Sequence, residues 1–303
     1  MLLGTGGTGF IGTHVVARLV AAGRPVVRGG PPPGLGLPPA PEDGGPSAVP
    51  VDVTDAAALA DVVATAGVDS IVHLAAPAIA DLGAGTGLLG PSAAVLAVLE
   101  AARRTGVGRV TVASSLEVYA GLRTGPCRED DPLPVASPTA LAAAKKSAEV
   151  LGDVAARAAG IDLVSLRLGF VYGPGYRSML NLPSQVAHAA ARGRPLGEQA
   201  PGRLGTALDL VHVADCAAAV VAVATAASRP HRVYNVGTGR LTTPAEVAAA
   251  AGLALPPAPA GTAVEQTPVM DVGRLRADLD VVAGHDIGSG MQDYLAWLAE
   301  HEY

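Results

Sequence analysis

A chain of 303 residues, half of them hydrophobic, is long enough for one large α/β domain with an appended lobe. Its net charge of −6 comes with no basic run and no RNA-type aromatic cluster, which excludes nucleic acid as the expected partner, and Gly, Pro or charge interrupts every apolar stretch before it reaches the length of a membrane span. Cys127 and Cys216 make no disulfide framework and have no metal-ligand spacing, and the N-terminus lacks the basic-then-apolar layout of a secretory signal, so a cytoplasmic protein without a structural metal is expected.

The first element is an apolar strand at Leu2-Leu3 that runs into Gly4-Thr5-Gly6-Gly7-Thr8-Gly9-Phe10-Ile11-Gly12. Gly6 allows a tight turn, Gly9 lets the backbone approach a pyrophosphate, and Gly12 lets the next helix pack close to the strand. The phosphates would face the positive helix N-terminus, which makes Gly6, Thr8, Gly9, Phe10 and Ile11 candidate cofactor residues. The spacing predicts a helix over 11–22 closed by Gly23, then a strand around Val26-Val27. Residues 28–50 are too rich in proline and glycine for a helix. Alternation resumes with a strand at 49–51, a helix at 56–66, a strand at 70–74, a helix at 92–105, a strand at 109–113, an Ala-rich helix at 138–159 and a strand at 163–168. Strands and helices alternating in short repeats imply a doubly wound parallel sheet, the Rossmann α/β class. Beyond Tyr172 the pattern loosens at 173–183 and 193–206, returns to the sheet at 208–211 and 233–236, and ends in helices near 244–251 and 291–301. The expected organisation is a dinucleotide-binding domain over 1–171 and a mixed region over 172–303, which sends strands back to the sheet and forms a small C-terminal substrate lobe.

Further stretches fall at strand ends: Val72-His73-Leu74-Ala75-Ala76, Ala113-Ser114-Ser115-Leu116-Glu117-Val118-Tyr119, Leu166-Arg167-Leu168-Gly169-Phe170-Val171-Tyr172-Gly173-Pro174-Gly175, Val211-His212-Val213-Ala214-Asp215 and Val233-Tyr234-Asn235-Val236-Gly237. In this order they resemble the extended short-chain dehydrogenase/reductases of the NAD(P)-dependent epimerase/dehydratase type, over essentially the whole chain. The resemblance implies the fold, a nicotinamide cofactor and contacts to it from Leu74, Ala75, Ala76 and Leu168. It also implies a catalytic Ser, Tyr and Lys. Ser115 matches the Ser that hydrogen-bonds the substrate oxygen, and Lys145, four residues before Glu149, matches the Lys that holds the nicotinamide ribose. The matching Tyr position is Leu141, and taking Lys146 instead puts Ala142 there, so neither register supplies the phenol.

That gap separates reactions. Oxidising an alcohol needs a base as hydride leaves, and losing a positioned acid or base costs about 10²- to 10⁴-fold. Reducing a ketone needs only a proton, which a phenol hydrogen-bonded to the carbonyl, with a pKa near ~10, could supply from the substrate itself. The position that grips a nucleotide-sugar diphosphate in the family is Leu208, which favours a lipophilic substrate, although Arg203 or Arg177 could substitute. Arg28-Gly29-Gly30 closes the second strand with no acid nearby, which favours NADP over NAD if Arg28 faces a 2′-phosphate; the alternative is an Arg that ends a strand in water. Asp52 and Val53 match a pair that contacts adenine, with Thr54 and Asp55 better placed to cap the following helix. His73, Tyr119, Tyr172, Asn235 and Asp215 read as structural, Lys146 as solvated, and Tyr176 and His188 as lining of the lobe. The expectation is an atypical NADPH-dependent ketoreductase acting on a bulky aromatic, polyketide-type metabolite of antibiotic biosynthesis, similar to actinobacterial tailoring reductases. The alternatives are a non-catalytic NADP-binding sensor or partner-binding protein, and a sugar epimerase or dehydratase with a displaced base.

Overall fold

A computed structural model describes the chain except residues 32–45, 47, 77–81, 83–84, 123–124, 177, 180, 197–205, 256–267 and 302–303. In its first half, β1 (Leu2–Thr5), α1 (Phe10–Ala21), β2 (Val26–Gly30), β3 (Ala48–Pro50), α2 (Ala56–Ala66), β4 (Ser70–His73), α3 (Gly90–Thr105), β5 (Arg109–Ser115), α4 (Ala140–Ala159) and β6 (Asp162–Leu168) follow one another. In the second half come β7 (Phe170–Tyr172), α5 (Leu182–Ala191), β8 (Leu208–His212), α6 (Val213–Thr225), β9 (Val233–Val236), β10 (Leu241–Thr242), α7 (Pro244–Ala250), α8 (Gly273–Leu279) and α9 (Ile287–Glu300). The main sheet has seven parallel strands in the order β3-β2-β1-β4-β5-β6-β9.

Parallel strands joined by crossover helices are covered on both faces, and successive side chains alternate between them. Leu2 and Leu3 illustrate this. Both are fully buried, but Leu2 packs with Val15, Val16 and Leu19 of α1 and Val220 of α6, whereas Leu3 packs with Leu59 of α2, Val98 of α3 and Leu163. Val, Leu and Ala fill both layers, as a chain with 3% aromatics requires. Because all strands of this sheet run the same way, Thr5, His73, Ser115 and Leu168 end on one edge, with Ser115 directly opposite Leu168.

The second half departs from the sequence expectation. β9 joins the main sheet, but the strand expected there at 208–211 is β8, which pairs with β7 and β10 in a separate three-stranded sheet. The physical cause is the bend at Gly169. Its N–H still bonds the Val236 carbonyl, but a Cβ there would lie 2.9 Å from the Asp209 carbonyl oxygen, so the chain crosses β8 closely and turns Phe170–Tyr172 onto it. Asp209, fully buried, then ties β8 to Thr238 and Met270 through its two carboxylate oxygens. Tyr172, Leu182, Val186, Leu210, Met291 and Tyr294 form the core of this lobe. Helices α5, α6 and α8 were not foreseen in the sequence. Asn181 caps α5 by accepting from the Ser184 N–H, and Pro183 sits in its first turn. No helix among the described residues is long and apolar enough to cross a membrane.

Candidate active site

The turn between β1 and α1 is defined by collisions that only glycine avoids. Gly6 sits at φ 71°, where a Cβ would lie 2.6 Å from the Ala75 N atom, and a Cβ at Gly12 would run into the Gly6 carbonyl oxygen. Leu74 N–H bonds the Thr5 carbonyl, so the end of β4 presses on the turn and brings Leu74, Ala75 and Ala76 beside Gly6. Gly9 is the N-cap of α1 and offers no side-chain oxygen. The first N–H groups of that helix, from Phe10 and Ile11 onward, are therefore not claimed by a side-chain cap, the arrangement that receives a phosphate. Phe10 stacks edge-on against Tyr176 at 4.9 Å, and His14 donates from Nε2 to the Pro174 carbonyl at 2.9 Å, so residues 174–176 of the lobe dock on the start of α1.

At the end of β2 the structure separates two positions that the sequence read together. Arg28 does not end a strand in water: it is buried, with its Cγ packed under Gly7. Gly30 faces Thr8, whose side chain already lies 3.0–3.1 Å from where a Cβ would be, so an acidic side chain at 30 has no room unless Thr8 moves. Asp52 is exposed and accepts from the N–H and hydroxyl of Thr54, which hold its carboxyl below the usual range, while Val53 is half-buried beside it. Asp55 is the cap of α2, bonding Ala57 and Ala58.

Ser115 ends β5 and caps the 3-10 turn Leu116–Tyr119 by accepting from the Glu117 N–H at 3.2 Å. On α4, Leu141 and Lys145 stand one turn apart, on one face. The Lys145 ammonium donates to the Ala113 carbonyl of β5 at 2.8 Å, and burial pulls its pKa down to about 8 against the opposing pull of Glu149. A small pocket lies at this point, where His73, Ser114, Lys145 and Glu149 meet the apolar Ala75, Val95, Val112 and Ala148. Sequence reasoning passed over Ser114, whose buried hydroxyl has no hydrogen-bond partner and faces this pocket. His73 shares a 2.7 Å hydrogen bond with Thr5, and burial lowers its pKa to about 3, so its ring is neutral. Leu168 lies on the same sheet edge, with its side chain in the core.

Tyr119 and Tyr172 do not replace the missing phenol. The Tyr119 hydroxyl donates to Asn235 at 2.7 Å and accepts from Arg167 at 2.8 Å, and burial drives its pKa up to about 12. Arg167 in turn forms a buried ion pair with Glu149 at 2.8 Å, which accounts for the Glu four residues after Lys145: it fixes α4 on β6. Tyr172 is buried in the lobe and donates to the Asp286 carbonyl. His188 is buried against Tyr294. Lys146, expected in solvent, is buried instead: a loop before α4 folds over it, and its ammonium donates to the Pro134 and Ala136 carbonyls and the Ser137 hydroxyl. Arg177 and Arg203, the candidates for a diphosphate, lie outside the described residues.

Elsewhere, His212, His285 and Asp293 bring three potential ligand atoms within 4.8 Å of one another. His212 Nδ1 accepts from the Ala214 N–H, its buried Nε2 lies 3.3 Å from Asp293 without a hydrogen bond among the described residues, and Asp215 binds His285.

The glycine cradle, the uncapped start of α1 and the orphaned Ser114 hydroxyl beside Lys145 fit a nicotinamide dinucleotide lying along the sheet edge. Comparisons with known proteins agree. The family model described as NAD dependent epimerase/dehydratase matches residues 2–237. A dTDP-glucose 4,6-dehydratase of Actinoplanes sp. is 30% identical over 252 residues, covering 78% of this chain and 76% of that protein. Among solved structures, MoeE5 in complex with UDP-glucuronic acid and NAD superposes with a TM-score of 0.82 at 28% identity, covering 99% of both chains. A UDP-glucose 4-epimerase of Thermus thermophilus in complex with NAD gives 0.80 at 26% identity, again covering 99% of both chains. From the glycine turn to the last strand of the main sheet, the chain belongs to the NAD-dependent epimerase/dehydratase family.

Proposed function

We propose that the protein is an NADPH-dependent ketoreductase for a bulky hydroxyaryl ketone of the polyketide type, working in antibiotic biosynthesis, and that the alkoxide takes its proton from the substrate's own phenol or an ordered water. The observation that carries this reading is Leu141, on the face of α4 that bears Lys145, in the position where the family places its acid, while Tyr119 and Tyr172 are bonded elsewhere. The bound cofactor supplies a hydride to the carbonyl carbon. Ser115 holds the carbonyl oxygen, and the Lys145 ammonium holds the ribose hydroxyls and adds positive charge near the developing alkoxide. Around them Gly6, Thr8, Gly9, Phe10 and Ile11 would seat the pyrophosphate, Asp52 and Val53 would flank the adenine, and Leu74, Ala75, Ala76 and the backbone of Leu168 would border the rest. The choice of NADPH is supported by Gly30, where Thr8 fills the space an acid would need. Leu208, buried in β8, offers no charge to a diphosphate, which supports a lipophilic substrate.

A second reading, turnover of a nucleotide sugar, is favoured by the dTDP-glucose 4,6-dehydratases among the relatives. Following NADPH oxidation at 340 nm with hydroxyaryl ketones, and product formation with dTDP-glucose and UDP-glucose, decides between them. Turnover of the ketones alone is expected. Turnover of a nucleotide sugar alone overturns the proposal, and tight NADPH binding with no turnover of either class points to the non-catalytic sensor.

A further inference from the structure

We propose that His212, His285 and Asp293 hold a divalent transition-metal ion of the zinc class, which pins α9 and the segment before it to the start of α6. The site is independent of the reductase reading and uses none of the cofactor residues. One ligand atom from each of the three lies within 4.8 Å of the other two. Two imidazoles and one carboxylate are the mixed nitrogen and oxygen donor set that suits zinc, and three protein ligands leave a fourth position for water. The residues come from the junction of β8 and α6, the segment between α8 and α9, and α9 itself, so no spacing in the sequence announces them.

His212 is the fixed member. Its side chain is fully enclosed and set edge-on against Tyr172 at 5.5 Å, and its Nε2 has no hydrogen-bond partner among the described residues. A buried ring nitrogen without a partner is costly, and a metal ion satisfies it. The Asp293 carboxylate stands 3.3 Å from that nitrogen without bonding to it, close to the about 3.4 Å expected between two donors that each lie ~2.1 Å from one tetrahedral ion. Glycine keeps the backbone clear of the same atom, since a Cβ at Gly173 would lie 2.7 Å from it. His285 lies over His212 with 4.2 Å between ring centroids, and its Nδ1 bonds the Asp215 carboxylate at 3.1 Å. A carboxylate only accepts, so Nδ1 carries the His285 proton and Nε2 keeps its lone pair, the way an outer carboxylate sets the tautomer of a ligating histidine. With an ion on His212 Nε2, that ring's proton moves to Nδ1. The contact given up there, from the Ala214 N–H at 3.4 Å, is already long for a hydrogen bond. His285 and Asp293, 32% and 53% exposed, have solvent to move through as the set closes around the ion.

The test uses the full chain, stripped with EDTA, and measures Zn²⁺ and Mg²⁺ binding by calorimetry together with the melting temperature. One Zn²⁺ per chain is expected, raising Tm and bound at least tenfold tighter than Mg²⁺, which prefers an all-oxygen shell. Asp293→Ala and His285→Gln should each weaken Zn²⁺ by about tenfold or more, a loss that even outer-shell partners produce, and should abolish the rise in Tm while NADP⁺ binding stays unchanged. Asp293 is exposed on α9, so its replacement leaves the core intact and decides the matter should His285→Gln fail to fold. The proposal is overturned if the wild-type chain binds no stoichiometric Zn²⁺, if Asp293→Ala keeps the Zn²⁺ Kd within twofold, or if Mg²⁺ binds as tightly as Zn²⁺. Zn²⁺ binding as expected with no turnover of any ketone overturns the reductase reading and leaves this site standing.

Discussion

The two walls of the cofactor cleft obey different kinds of constraint. At the glycine turn every requirement is steric: Gly6 and Gly12 stand where a Cβ would strike backbone atoms, so the residue type follows from geometry alone. At the start of α4 the requirement is chemical, and Leu141 fills its place on the helix without disturbing the Lys145 contact to β5 or the Glu149–Arg167 pair. A side chain that supplies a proton can be exchanged for one that only packs and the fold survives; a turn glycine cannot. The difference teaches that binding is maintained here by shape while the reaction depends on a single position.

The largest effect should come from attacking the steric wall. Gly12→Ala drives a methyl group into the Gly6 carbonyl, so the turn that seats the pyrophosphate has to open. NADPH binding measured by fluorescence should be lost, and an unchanged Kd would show that the turn is more plastic than its contacts imply. Removing one partner of the buried pair should come next. Glu149→Gln leaves the Arg167 guanidinium unmatched in a site where both side chains are about nine-tenths buried or more, a loss of about 3–5 kcal/mol in denaturant unfolding. A loss below 1 kcal/mol would mean that Tyr119 and the Glu129 carbonyl already satisfy Arg167.

The chemical wall should respond in kinetics rather than stability. Leu141→Tyr adds a phenol one turn from Lys145, and a positioned general acid is worth about 10²- to 10⁴-fold. Reduction of ketones that lack a neighbouring phenol should rise, with a melting temperature close to that of the wild type. Lys145, with a pKa near 8, is an ammonium below that pH and neutral above it. Ketone reduction should therefore fall as pH rises through about 8, and Lys145→Met should remove that limb of the profile.

A further effect concerns acid. His73 and His212 are held neutral by burial, with pKa values near 3 and 4, whereas the unfolded chain takes up those protons near the ordinary histidine pKa of 6.5. Depressed histidine pKa values stabilise the fold above the unfolded value, and that contribution is lost as pH falls from 6.5 toward 3. The melting temperature should drop over this range, and replacing His73 by Gln should make the drop shallower.

Most of the main sheet was legible because its strands are short apolar runs punctuated by glycine and by capping residues such as Asp55. The second sheet was not. The residues of β6 and β7 form one apolar run in which the break at Gly169 looks like any other glycine, and the burial of β8 resembles that of a central parallel strand. Helix α6 is apolar all round, so it carries no helical period to detect, whereas the Asn181 cap of α5 could have been read. In the candidate site, the family resemblance singled out Ser115 and Lys145, which lie at the end of β5 and on α4, with Lys145 bonded to β5. Lys146 was misjudged because nothing in its neighbours on the helix foretells a loop folding back over it, and Ser114 because its importance lies in having no partner.

The most direct test of the account compares a hydroxyaryl ketone with its methyl ether as substrates of the wild-type protein, at saturating NADPH and with binding of each ketone measured separately. If the substrate donates the proton, methylation should lower kcat by about 10²-fold or more, the size of a lost general acid, with little change in Kd. Equal kcat values for the two ketones would contradict donation by the substrate and leave the proton to an ordered water or a group of the protein.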